Sequence, residues 1–123
     1  MQDYKRLDVW SRAHAHNPAE RQSTNRFPRT GFAALKSQVT RAAESIAFNI
    51  VEGCGSASQK DFSRFLDIAI KSAFELEYQL LLGRDYGVLQ DAEWRAMSNE
   101  TIEIRKMLYR LRQKVLSSLS AES

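Results

Sequence analysis

Apolar side chains return every three or four positions along three separate stretches of this chain, and that spacing restricts the fold more than any other feature. Phe32, Leu35, Val39, Ala42, Ala43, Ile46 and Ile50 form one row. Phe62, Phe65, Leu66, Ala69, Ile70, Ala73, Leu76, Leu80 and Leu81 form a second. Met97, Thr101, Ile104, Leu108, Leu111 and Val115 form a third, alternating spacings of four and three as in the seam of a bundle. At about 100° per residue each row occupies one face of an α-helix, whereas a strand would need a period of two.

Helix-end signals bracket these rows. Gly53 is the expected C′ residue of the helix that begins near Thr30 or Gly31. Ser58, with Asp61 three residues on, resembles a capping box and opens the next helix, which runs to about Asp85 with Gly87 closing it. Asp91 is the expected N-cap of the last helix. A further helix is expected from near Asp8, its candidate N-cap, with Val9, Trp10 and Ala13 as apolar contacts. It is read as helix only to residue 17, because Pro18 removes a backbone donor and residues 20–25 carry no apolar stripe. The chain has only two prolines and five glycines in 123 residues, which favours long helices. Short connections make neighbouring helices antiparallel. The expected fold is an all-α, antiparallel up-down-up-down four-helix bundle, with residues 1–123 forming one domain.

The helices carry more apolar surface than one core uses. Phe48, Val51, Ile68, Tyr78, Leu82, Ile102, Tyr109 and Leu116 lie off the core faces. Burying apolar area stabilises by roughly 25 cal/mol per Å², so contact between copies is the simplest cover for these rows. A polar row of Gln38, Arg41, Ser45, Asn49 and Glu52 runs beside the first apolar row. Glu77 lies inside an apolar arc. A buried carboxylate is costly without a partner, and Arg41 is the expected one.

Charge is unevenly spread. Residues 1–41 carry eight Lys/Arg against three Asp/Glu, residues 42–104 five against eleven, and residues 105–123 five against one. An antiparallel bundle brings the start of the first helix, the loop between the second and third, and the end of the fourth to one end. Lys5, Arg6, Arg12, Lys60, Arg64, Arg105, Lys106, Arg110, Arg112 and Lys114 thereby become a candidate patch for RNA or DNA. Solvated helix surface is the alternative reading of the same charges.

Catalytic and metal chemistry finds little footing. Gly53–Lys60 lacks both the spacing and the preceding strand of a phosphate-binding loop and reads as a helix end, a linker and a cap. His14 and His16 are two apart and face different directions on a helix. Cys54 has no recognisable base beside it and, as the lone cysteine, forms no internal disulfide. Glu44, Glu52, Glu75 and Glu77 lack the Glu-x-x-His pairs of dimetal bundles. Trp10 and Trp94 read as helix-end packing before base stacking. No enzyme, cofactor or metal site is expected. The start of the chain carries no apolar signal segment, and no stretch is long and apolar enough for a membrane span, so a cytoplasmic location is expected.

Arg41-Ala-Ala-Glu-Ser-Ile-Ala-Phe-Asn-Ile-Val-Glu-Gly53 fits the pattern RAAxSIxxNIxEG, and Phe62 to Leu80 fits FxRFLxxAxxSxxELExQL. With Leu35–Gln38, Leu7–Trp10 and Phe27-Pro28, these stretches resemble the four-helix bundle family first noticed as the 23S ribosomal RNA intervening-sequence protein. The resemblance covers nearly the whole chain. It implies the same bundle and, by its structurally known members, a ring-shaped homopentamer. A related branch, the accessory variability determinant of diversity-generating retroelements, binds nucleic acid and a reverse transcriptase through a basic pentameric ring. That role would reach this chain by fold-level analogy alone. This chain departs from the family in its first helix, where His16, Asn17, Pro18, Arg21 and Ser23 stand in place of most of the apolar stripe. A break or repacking there is expected. Two functions follow as expectations: a homo-oligomeric scaffold binding nucleic acid at its basic end, or a protein-binding adaptor without nucleic-acid affinity.

Overall fold

The computed structural model describes residues 2–122. A single 3-10 turn at Tyr4–Arg6 leads into α1 (Asp8–Asn25), α2 (Ala33–Cys54), α3 (Gln59–Asp85) and α4 (Asp91–Glu122). Cross-helix pairs fix the register and show each neighbour running opposite to the last. Ser45 meets Ser72 across α2 and α3. Glu77 meets Arg105, and Asp67 meets Arg112, across α3 and α4. Arg12 pairs with Glu100, and Ser23 with Glu93, across α1 and α4. The Gln2 N–H donates to the Cys54 carbonyl at 3.0 Å, bringing the start of the chain to the end of α2. The result is the expected up-down-up-down bundle.

The three apolar rows supply the centre of the core. Val39, Ile46, Ile50, Leu66, Leu76, Leu80, Ile104 and Leu108 are fully buried. Phe65 and Leu81, expected inside, are only half-buried, and the Arg64 guanidinium covers the Phe65 ring at 4.7 Å.

Several local expectations need correction. α1 runs unbroken through Pro18 to Asn25. Its buried positions are Val9, Ala13, His16, Glu20, Ser23 and Thr24, with Phe27 just beyond. Their spacing is again four and three, so the seam survives with polar members. Tertiary packing along it outweighs the hydrogen bond that Pro18 cannot make. Leu7 rather than Asp8 is the N-cap of α1, and Asp8 sits in the first turn, where the helix dipole favours a carboxylate.

Gly53 is not a C′ residue but lies inside α2. A Cβ there would stand 2.8 Å from Phe62 Cδ1 and 3.1 Å from Phe65 Cβ, so the glycine permits close approach of α2 and α3. Ser58 caps α3 as expected, its Oγ accepting from the Asp61 N–H at 3.1 Å. Gly87 adopts φ +79 beyond α3, a left-handed conformation suited to glycine. The Val88 and Leu89 N–H groups both return to the Gly83 carbonyl, closing that end.

Candidate functional site

The ten basic residues of the candidate patch divide into two sets. Arg12 makes a bidentate pair with Glu100, its Nε and Nη2 each 2.8 Å from a carboxylate oxygen. This hydrogen bond is the main cause that raises the Arg12 pKa and lowers that of Glu100. Arg105 pairs with Glu77 at 3.2 Å and lies over the Phe74 ring at 4.3 Å. Arg112 approaches Asp67 at 3.8 Å, Arg110 approaches Glu103 at 3.7 Å, and Arg64 approaches Asp61 at 3.8 Å. Lys5, Arg6, Lys60, Lys106 and Lys114 are exposed and have no ion pair among the described residues. Helix geometry separates the α4 cations further. Lys106, Arg110 and Lys114, at i, i+4 and i+8, share the outward face and are exposed. Arg105 and Arg112 turn toward α3. The structure thus places an outward ridge along α4, with Lys5 and Arg6 on the 3-10 turn against α1 and α2 and Lys60 in the first turn of α3, rather than gathering all ten side chains into one cluster.

The polar row is partly structural. Ser45 Oγ lies 2.8 Å from Ser72 Oγ, and Asn49 Nδ2 donates to the Ser45 carbonyl at 2.8 Å. Arg41 and Glu52 are exposed. The expected Arg41–Glu77 pair is therefore wrong. Arg41 lies on α2 facing solvent, whereas Glu77 leans to the α4 side of α3, where Arg105 takes it.

The off-core apolar residues divide similarly. Phe48 is 63% exposed, Tyr78 60% and Tyr109 52%. Val51, Ile68, Leu82, Ile102 and Leu116 are half-buried, and Leu82 packs on the core. Phe74 and Tyr86 are also exposed, which the apolar rows did not reveal. Two grooves result. One of about 640 Å³ lies between α1 and α2, beside Tyr4, Trp10, His14, Phe48 and Val51. The other, of about 460 Å³, lies between α3 and α4.

A buried polar cluster went unseen in the sequence. His16 Nε2 stands 2.7 Å from Glu20 Oε1 and 3.0 Å from Thr101 Oγ1, and the Thr101 hydroxyl donates to the Met97 carbonyl at 2.8 Å. Glu20 is 1% exposed. Position, not chemistry, was the available signal: residues 9, 13, 16, 20, 23 and 27 continue the seam spacing. Glu93 accepts from Ser23 Oγ at 2.8 Å and also pairs with Arg26, tying down the far end of α1.

Groups with catalytic potential sit in quiet surroundings. Burial pushes the Cys54 thiol pKa up, opposite to the shift that makes a nucleophile. His14 stacks on Trp10 at 4.9 Å, and Tyr4 meets the same ring edge-on at 5.0 Å, so Trp10 packs the start of the chain. Among the described residues no three His, Cys, Asp or Glu side chains converge as a metal site would need. No helix of the described residues is long and apolar enough to cross a membrane.

These features define an all-α, four-helix bundle protein whose charged and aromatic features are displayed on its outer faces. The chain belongs to the 23S rRNA-intervening sequence protein family, whose model matches residues 5–110. Among solved structures it is similar to a Bacteroides thetaiotaomicron VPI-5482 protein of unknown function from the S23 ribosomal protein family. The TM-score is 0.79 at 25% sequence identity, covering 85% of this chain and 97% of that one. None of the curated proteins compared with the chain matches it.

Proposed function

We propose that the protein is a non-catalytic, homo-oligomeric scaffold that binds nucleic acid through phosphate contacts from the outward face of α4. The observation that carries this reading is the exposed ridge of Lys106, Arg110 and Lys114, two of whose cations have no carboxylate partner among the described residues. Lys5, Arg6 and Lys60 add exposed positive charge. Phosphate contacts of this kind set affinity and register without reading bases. The oligomer reading is supported by Phe48, 63% exposed beside the α1–α2 groove, and by the five-copy ring that the family resemblance implies.

Light scattering with and without a short RNA or DNA, at low and moderate salt, tests both parts. A particle of about 70 kDa, five copies of 14.1 kDa, that gains mass with nucleic acid only at low salt is the expected result. A single-copy mass would overturn the oligomer. A particle that ignores nucleic acid at low salt would overturn the electrostatic reading and favour a protein-binding adaptor using the α1–α2 groove. Changing Lys106, Arg110 and Lys114 together to Gln should flatten the plot of log affinity against log salt by about two units on single strands, at roughly 0.7 per lost phosphate contact.

A further inference from the structure

The groove between α3 and α4 differs from a plain cationic surface. Phe74 from α3 and Tyr109 from α4 stand on it, 53% and 52% exposed. Arg105, Lys106, Arg110 and Arg112 surround the two rings, with Asp67 as the one carboxylate in the lining. Arg105 holds one side of the Phe74 ring at 4.3 Å while the ring stays half open to solvent. Arg112 Nε is buried there without a hydrogen-bond partner. At about 460 Å³ the groove falls within the roughly 300–1,000 Å³ of small-ligand sites.

From this juxtaposition we infer that the Phe74–Tyr109 groove is a stacking site for unpaired bases, so that the protein takes single-stranded nucleic acid in preference to duplex. Aromatic faces beside backbone-tracking cations suit a strand whose bases are free to leave the stack. Every base offers a π-face, so such binding tolerates sequence. A duplex keeps its bases inside and offers the groove phosphates alone. A second copy of the chain is a poorer occupant on charge. The larger groove, between α1 and α2, would bring His14 and Arg21 against these four cations if a second copy offered it. Its carboxylates are Glu44, already within 3.5 Å of Arg21, and the buried Glu20, held by His16. The inference rests on the nucleic-acid reading above and adds strandedness and two named rings to it.

Fluorescence anisotropy on the full chain, with labelled oligothymidylate of roughly 15 nucleotides and a duplex of equal length, tests the inference. The single strand should bind more tightly. Phe74→Ala and Tyr109→Leu should each weaken it by about fivefold or more, with the salt slope unchanged. Phe74→Trp should restore binding, and its added fluorescence should be quenched by the strand. Equal binding of strand and duplex, with both aromatic variants silent, would overturn the stacking site and leave the phosphate reading standing. Failure of both probes to bind at low salt would remove the stacking site and the phosphate reading together. A drop in mass on Tyr109→Leu without nucleic acid would mark the groove as a contact between copies and overturn the inference. Circular dichroism of each variant separates loss of binding from loss of fold.

Discussion

α1 and α3 occupy comparable places in the bundle but bury opposite chemistries. α3 turns Phe62, Leu66, Ala69, Ile70, Ala73, Leu76 and Leu80 inward. α1 buries Val9 and Ala13 and then His16, Glu20, Ser23 and Thr24 on the same four-three spacing. The spacing decides where a helix can dock. The chemistry on it decides how strongly it docks. Apolar area converts directly into stability, whereas buried polar groups must first repay their desolvation. α1 should therefore be the weaker-held helix, further burdened by Pro18 in its interior.

The largest expected effect lies on the α3 side. Leu76 is fully buried, so Leu76→Ala should cost about 2–5 kcal/mol, read as a lower denaturation midpoint at unchanged slope. The matched comparison is Ala73→Gly on α3 with Ala13→Gly on the α1 seam: both sites are buried and both changes cost about 1 kcal/mol of helix propensity, and the α3 variant should lose more. If the two cost the same, α1 is not the weaker element.

The next effect sharpens the contrast. Glu20→Leu alone leaves His16 buried beside Thr101 with its carboxylate partner gone, and should destabilise by about 1–3 kcal/mol. His16→Leu with Glu20→Leu removes the pair together and should be neutral or stabilising by roughly 1–4 kcal/mol. Equilibrium unfolding of the three proteins decides it. A double variant as unstable as Glu20→Leu alone would show that the polar pair holds α1 better than apolar replacements do, and that α1 is held better than its chemistry suggests.

How much of this was legible in the sequence follows from the same contrast. Where the seam is apolar, from Val39 to Ile50, from Phe62 to Leu80 and from Met97 to Val115, periodicity located both the helix and its buried face. The Ser58 cap and the Gly87 turn were legible because their residue chemistry is tied to local backbone geometry. α1 beyond residue 17 was misread because polar residues at seam positions look like solvent-facing ones until their partners are known. Those partners, Thr101 and Glu93, lie 85 and 70 residues away. Gly53 looked like a helix end because its role, clearance for Phe62, belongs to another helix. Glu77 was rightly expected to need a cation. The choice of Arg41 over Arg105 failed because it depends on which side of α3 the carboxylate leans. The cations of the candidate site were readable as residues, but their division into paired and free was not, since each partner lies on a neighbouring helix or another turn. Phe74 and Tyr109 sit more than thirty positions apart, and only the register of α3 against α4 sets them on one groove.

The smallest effect concerns the polar clasp on the outer side of α1. The Arg12 hydrogen bond holds the Glu100 carboxyl below its ordinary value of 4.5. A carboxyl depressed by folding contributes stability that is present above 4.5 and is lost as pH falls through its folded value. The Arg12 and Glu100 side chains are 40% and 34% exposed, so solvent screening limits the pair to about 0.2–1 kcal/mol. The stability difference between the native chain and Glu100→Gln should be constant above about pH 5 and shrink below it. Urea titrations at several pH values would read this, and added salt should shrink the plateau as well. A difference that stays constant down to the acid limit would mean that Arg12 adds nothing to the docking of α1 through this carboxylate. The buried His16–Glu20–Thr101 cluster would then carry the polar side of the comparison alone.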